Sequence, residues 1–447
     1  MEVEQDRKEK ESFFNYFYWS VNLGALLAYT IVTYICQYGI VGVGGEKYSF
    51  VVGYSIPLIA MFFGLLVFIS GSKRYKKYPP NGSAIDTTLS IIYEALWIKR
   101  RSTIDNKSSY KMLDKAKLSN GGSYTDHDVN NVMLVLRLLP FLAAFIPYWG
   151  VYSQMSTAFQ NQACQMDLSY GNTQIPVASI NAVDTIIILI LVPIFDQYLY
   201  PYLKQKDIIK IDMLSKINYG FLFATVSMIA AAIIEVYRKR YSPTQGNYYD
   251  IYARNNISPC RDIYDYNPYE YVQWYNNTDH SVENKPLNCY QIKGCSIDSE
   301  GIQCIQCDNI PQMSTLSVFW QIPQFCLIGI SEILASVTSL EFFYSQAPIT
   351  MISIVQAFNL VTTAFGSWLV IPLIILANCD PNNPWVPVNL DDGSLELYFI
   401  LLIIIMVLTI FCFMKISRKY EYINNNELNT DENTNNEGEI NLELNKL

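Results

Sequence analysis

Long apolar runs separated by short polar ones dominate this chain, and their spacing sets its architecture. Nearly uncharged stretches fall at about 13–37, 51–70, 133–156, 175–199, 213–234 and 397–414, and two more are hinged at Ala347-Pro348 within 320–366. Each is long enough to cross a hydrocarbon layer about 30 Å thick as a helix of ~20 residues. The pattern predicts eight spans. Ile85–Ile98 is too short to cross and is amphipathic, which predicts an interfacial or linking helix. Pro57, Pro140 and Pro147 lie inside spans and predict kinks, because each removes a backbone donor. On the first span Asn22, Gly24 and Ala25 form a narrow polar-and-small stripe. That stripe suits either close helix packing or the lining of a polar path.

Composition agrees with the pattern. Of 447 residues, 51% are hydrophobic, 14% aromatic and 16% charged, well below the ~25% charged of soluble domains. The fold class is all-α, a polytopic membrane helical bundle. The formal net charge of −9 comes mostly from residues 421–447, which hold seven Asp or Glu and one Lys among many Asn. Such a tail cannot bury a core and is expected to be disordered. No basic cluster is interleaved with aromatics, so nucleic acid is not an expected partner. The partners are the lipid bilayer and a small solute. No Ser/His/Asp, Walker or HExxH arrangement occurs, which argues against an enzyme or an ATP-driven pump.

Charge also sets the orientation. Lys73, Arg74, Lys76, Lys77, Lys99, Arg100, Arg101, Lys107, Lys111, Lys115 and Lys117 crowd the segment after the second span, placing it in the cytoplasm by the positive-inside rule. Counting spans from there puts both chain ends inside and the insert Glu235–Met313 outside. Arg238, Lys239 and Arg240 run against the charge bias on that face, although long loops are translocated largely regardless of charge. The insert carries Cys260, Cys289, Cys295, Cys304 and Cys307. Outside the cytoplasm disulfides can form, and they are the preferred reading over zinc, because one CxxC lacks a matching second pair. Five cysteines leave one odd. No metal site is expected.

One residue stands out chemically. Glu332 lies near the middle of an otherwise uncharged span, where a carboxylate costs roughly 2.5–3.5 kcal/mol on insertion scales. It is therefore expected to face a cavity or a partner. Glu341, nine residues on, points about 180° away and lies ~13 Å further along the helix, at the membrane surface. His127 and His280 are the only histidines and both are expected in loops, which leaves carboxylates as the titratable groups within the membrane.

The string EFFYSQAP at 341–348, preceded by WQIPQ and a mid-span Ser-Glu, resembles the proton-dependent oligopeptide transporter (POT) family of the major facilitator superfamily. FFNYFYWSVNLGAL resembles its fifth helix, GSKRYKKYPPNGS the exit from its sixth, RLLPFLAAFIPYWGVYSQMST its seventh and INAVDTIIILILVPIFDQYLYP its eighth. The family has twelve spans, so the resemblance implies a partial major facilitator fold. Residues 1–70 would be the last two helices of the N-terminal bundle and 71–131 a cytoplasmic linker. A six-helix C-terminal bundle would fill 132–420, with the external loop at 235–313 and the tail at 421–447. The ExxERF first helix and the fourth-helix Lys have no counterpart, which implies a truncated gene reading or a natural fragment.

Carried over residue by residue, Asn22 and Asn181 match peptide-binding asparagines, and Glu332 matches the acid that receives the peptide amino terminus. The seventh-helix acidic position is Ser153 or Gln154 here, and Asn359 replaces a tryptophan of the eleventh. Gln154 and Asn359 thus join the candidate substrate contacts, while Asp196, Glu341 and Arg137 are candidates for gate or packing ion pairs. The implied activity is proton-coupled symport of di- and tripeptides, driven by the proton gradient without a cofactor. The alternatives are a carrier of nitrate or another small nitrogenous solute, and a transport-inactive fragment serving as a regulatory or partner-binding subunit. The implied home is the plasma membrane, with vacuole or lysosome as the alternative.

Overall fold

The computed structural model describes residues 18–40, 48–75, 84–97, 112–170, 173–195, 198, 202, 212–241, 271–275, 282–286, 295–298, 301–304, 314–387 and 390–422. Among these, eight helices are long and apolar enough to span a membrane. We label α1 (Tyr18–Tyr38) and α2 (Ser49–Ser70), followed by the linking helix α3 (Ala84–Trp97). Next come α4 (Asp126–Tyr152), the short α5 (Ala158–Cys164), α6 (Ala182–Ile194) and α7 (Met213–Arg240). The last three are α8 (Val318–Gln346), α9 (Ile352–Ala377) and α10 (Leu395–Ser417).

Local chemistry explains the ends. α4 begins where Thr125 caps the backbone N–H of Asp128 at 3.1 Å, with Asp126 and Asp128 in the first turn against the helix dipole. His127 is therefore helical rather than in a loop, and its ring contacts Asn131 at 3.0 Å. His280 lies outside the described residues. The prolines do not break their spans. Pro57 sits inside α2, and Pro140 and Pro147 inside α4. The neighbouring turns hold each helix continuous, so the expected kinks do not divide the spans.

α7 is the hub, packed against α10 and α8, while α4 lies along α9. Its Gly220 permits a close crossing with α8: a Cβ there would stand 2.6 Å from the Cβ of Ala335. Around this crossing the core is aromatic. Phe145 meets Phe221 edge-on at 5.2 Å, and Phe413 does the same to Phe141 and Phe221 at 5.6 and 5.1 Å. Two π-turns interrupt the α geometry, Ala28–Val32 in α1 and Ile333–Val337 in α8.

α1 and α2 are attached differently. Only 6% of the apolar window in each is buried, against 61% in α8. They pack on one another and touch the bundle at the turn before α6, where Thr33 and Ser179 hydroxyls meet at 2.8 Å. The small-residue stripe of α1 is not a packing seam, because a Cβ at Gly24 would have nothing within 4 Å.

The insert after α7 starts later than the sequence pattern suggested. α7 continues through Glu235 to Arg240, because Glu235 and Arg238 are buried and paired. Beyond it stand two antiparallel hairpins, β3 (Tyr271–Tyr275) with β4 (Val282–Pro286), and β5 (Cys295–Asp298) with β6 (Gly301–Cys304). A smaller pair, β1 (Ser169–Tyr170) and β2 (Thr173–Gln174), precedes α6. Cys295 and Cys304 are register partners, while Cys260, Cys289 and Cys307 lie outside the described residues. Cys164, at the end of α5, is disulfide-bonded. Cys164 was not among the disulfide candidates read from the sequence, because it lies about 70 residues upstream of the insert.

Candidate functional site

The site is built where α6 meets α8. The turn Val177–Asn181 leads into α6, so Asn181 and Asp184, three residues apart, share one face. They are 4% and 5% exposed. Across from them is Gly329 of α8, where a Cβ would lie 2.9 Å from Asp184 Oδ1 and 3.3 Å from its carbonyl oxygen. Glycine here lets the carboxylate of one helix press onto the backbone of the next. Glu332 follows three residues later, on the same side and ~4.5 Å further along the axis. Two carboxylates therefore meet at one helix crossing.

Glu332 is 8% exposed, and its Oε1 accepts a hydrogen bond from the Tyr18 hydroxyl of α1. Its Oε2, Asp184 Oδ1 and Asn181 Oδ1 have no hydrogen-bond partner among the described residues. Tyr29, Tyr148 and Tyr152 lie within electrostatic range of both acids. No lysine or arginine among the described residues forms an ion pair with either acid. Buried carboxylates without a cation are costly, so the arrangement is completed by a proton or by a cationic group of a ligand.

The other candidates fall in different places. Asn22 is buried one turn after Tyr18 and donates to the Tyr18 carbonyl at 3.0 Å, beside the acids. Gln154 is fully buried but donates to its own helix at Gly150 O, 2.8 Å, as does Ser153 at the same distance. Tyr152, not Gln154, is the α4 side chain near Glu332. Asn359 is buried on α9 with Oδ1 unpartnered, and no described hydrogen bond joins it to Glu332. Glu341 is exposed near the end of α8. Arg137 does not pair with an acid among the described residues; its guanidinium lies 5.7 Å over the Tyr420 ring. Asp196 lies outside the described residues.

Sequence reasoning missed Asp184, and it missed Tyr18 and Tyr152, hidden among 34 tyrosines. The signal for Asp184 was its helical spacing from Asn181. A second polar cluster, also missed, closes the end of the bundle at the C-terminus of α7. Arg238 is fully buried; it donates to both Glu235 oxygens at 3.0 and 2.8 Å. Its Nη1 stands 2.8 Å from Asp391 Oδ1, without hydrogen-bond alignment. Gln162 donates to Glu235 at 2.9 Å and accepts from Gln321 at 3.0 Å, while Lys239 reaches Glu396 at 2.8 Å. Two of the three cations that run against the charge bias, Arg238 and Lys239, are thus neutralised in place, while Arg240 lies 5.7 Å over the Tyr237 ring. No cluster of three metal-ligating side chains occurs among the described residues.

Apolar spanning helices around an interior pair of acids, lined by phenols and amides, define a membrane carrier rather than an enzyme. The model of the POT family matches residues 3–266 and 298–382. The chain belongs to the POT family. It is 28% identical over 94% of its length to Protein NRT1/PTR FAMILY 8.1 of Arabidopsis thaliana, and 27% identical over 93% to Solute carrier family 15 member 3 of Rattus norvegicus. It spans 68% and 64% of those relatives' lengths, about two thirds. Two crystal structures share the fold, each with a TM-score of 0.59: the POT family transporter PepTSo, with 18% identity over 93% of this chain and 72% of that one, and an auto-inhibited POT family peptide transporter, with 17% over 94% and 73%.

Proposed function

We propose that this chain works in proton-coupled symport of di- and tripeptides across its membrane, with Glu332 receiving the peptide ammonium. The observation that supports this most directly is the unpartnered Glu332 Oε2, held beside Asp184 and braced by Tyr18. An ammonium carries three donors and a charge complementary to these oxygens. Asn181 and Asn22 offer amides for the peptide backbone. No cofactor enters the scheme; the proton gradient supplies the work. The peptide carboxylate needs a cation as its partner.

The acid pair also favours this reading over a nitrate carrier. Two carboxylates at one crossing repel an anion, so a nitrate-selective chamber is disfavoured. Plasma membrane is the proposed home. The test is uptake of a labelled dipeptide into vesicles under an inward proton gradient. Glu332→Gln removes a charge-assisted bond of about 1.5–3 kcal/mol, so uptake should fall roughly 10–150-fold. Unchanged uptake would remove Glu332 from its role. Nitrate competing as well as dipeptide would favour the other carrier, and absence of any uptake would favour the regulatory subunit.

A further inference from the structure

We propose that the cytoplasmic ends of α4 and α10 form a binding site for an anionic phospholipid, whose phosphate sits among Arg137, Lys415 and Lys419. A cleft of about 320 Å³ opens between the two helices there, walled by Pro140, Phe141, Ile416 and Tyr420. None of the three cations forms an ion pair among the described residues. The contrast with the C-terminal end of α7 is informative, since Arg238 and Lys239 there both have acidic partners. Three like charges around one cleft repel each other, and an anion reverses that cost.

The wall is already set for a ligand. Tyr420 donates to Gln346 Oε1 at 3.0 Å and packs edge-on against Phe141 at 5.1 Å, while Arg137 stacks on its ring. Burial pushes the Tyr420 phenol up to about 12, so it stays a neutral donor at cellular pH. Lys415 lies in the last turn of α10 and Lys419 in the turn that follows it, and both line the cleft.

A lipid, rather than free phosphate, is indicated by what lies beyond the cleft. Ile404, Leu408 and Phe411 share the α10 face that ends in Lys415, and they are 52%, 60% and 59% exposed. From Ile404 to Lys415 the helix rises ~16 Å, the depth of one hydrocarbon leaflet, ~15 Å. An apolar track one leaflet deep that ends in three cations matches an acyl chain joined to an anionic headgroup. The basic loops assign this end to the cytoplasm, where anionic lipids concentrate.

The test uses the full chain in mild detergent, titrated with phosphatidylserine or with phosphatidylcholine of the same acyl chains, and read by native mass spectrometry. Phosphatidylserine should be retained preferentially. Each of R137Q, K415Q and K419Q should weaken retention about fivefold, and the triple variant roughly 100-fold. The charge-preserving K415R/K419R variant should retain the lipid, which separates loss of charge from loss of fold. A second arm offers inorganic phosphate and soluble glycerophosphoserine. Binding of either as tightly as the lipid would overturn the lipid assignment, and so would equal retention of the two lipids. Retention that appears only after removal of residues 423–447 would overturn it in favour of the acidic tail as occupant.

Discussion

Arg238 is fully buried in the cluster at the C-terminus of α7, and replacing it tests the energetics of that end directly. Arg238→Met keeps the aliphatic stem but removes three polar contacts: two bonds to Glu235 and the 2.8 Å approach to Asp391. Glu235, itself fully buried, then keeps only the Gln162 amide as a donor among its described contacts. Breaking one side of a buried ion pair costs about 3–5 kcal/mol, mostly the penalty of the stranded charge. Asp391 is 18% exposed and is rescued in part by water, so the lower half of that range is expected. With an unfolding entropy of about 2.1 cal/mol/K per residue, a chain of 447 residues shifts by about 1 °C per kcal/mol, so the apparent Tm in detergent should drop by roughly 3–4 °C. The assay is a thermal ramp followed by size-exclusion chromatography. The double variant R238M/E235L removes the stranded charge as well and should recover most of the loss. A Tm within a degree of wild type for R238M would refute the reasoning, as would a double variant no better than the single one.

Two further outcomes follow from the packing. Asp184→Asn keeps the shape against Gly329 and deletes the charge, so proton-driven dipeptide uptake should fall about tenfold while nitrate competes better than before; identical uptake and competition would show that Asp184 is not part of the solute chamber. Gly220→Ala places a methyl 2.6 Å from the Ala335 Cβ, so α7 and α8 must move apart at a cost of about 1–3 kcal/mol, visible as a lowered Tm alongside reduced uptake.

Spans are legible from sequence because every apolar window must satisfy its backbone internally in lipid. That constraint acts residue by residue, so the eight windows and the linking helix could be read from hydropathy alone. Glu332 was legible for the same reason, since a lone carboxylate in an apolar run is conspicuous. Asp184 was not, because its partner Gly329 is 145 positions away and a glycine announces nothing about which side chain will press against it. Gln154 failed in the opposite way. Its polarity suggested a ligand, but a carbonyl freed near the end of α4 claims its amide. Pro57, Pro140 and Pro147 stay inside continuous helices, since a proline removes one bond without dictating how far the neighbours let the helix bend.

Glu332, held by the Tyr18 hydroxyl, stands immediately ahead of the Ile333–Val337 π-turn of α8, while the π-turn of α1 begins at Ala28, well beyond Tyr18. A π-turn holds one residue more than the α spiral requires. Moving that surplus one position toward the N-terminus would carry Glu332 into the turn and swivel it by about 100°, with the rest of α8 left in register. The grip of α1 on the interior acid thus hangs on the winding of a single turn.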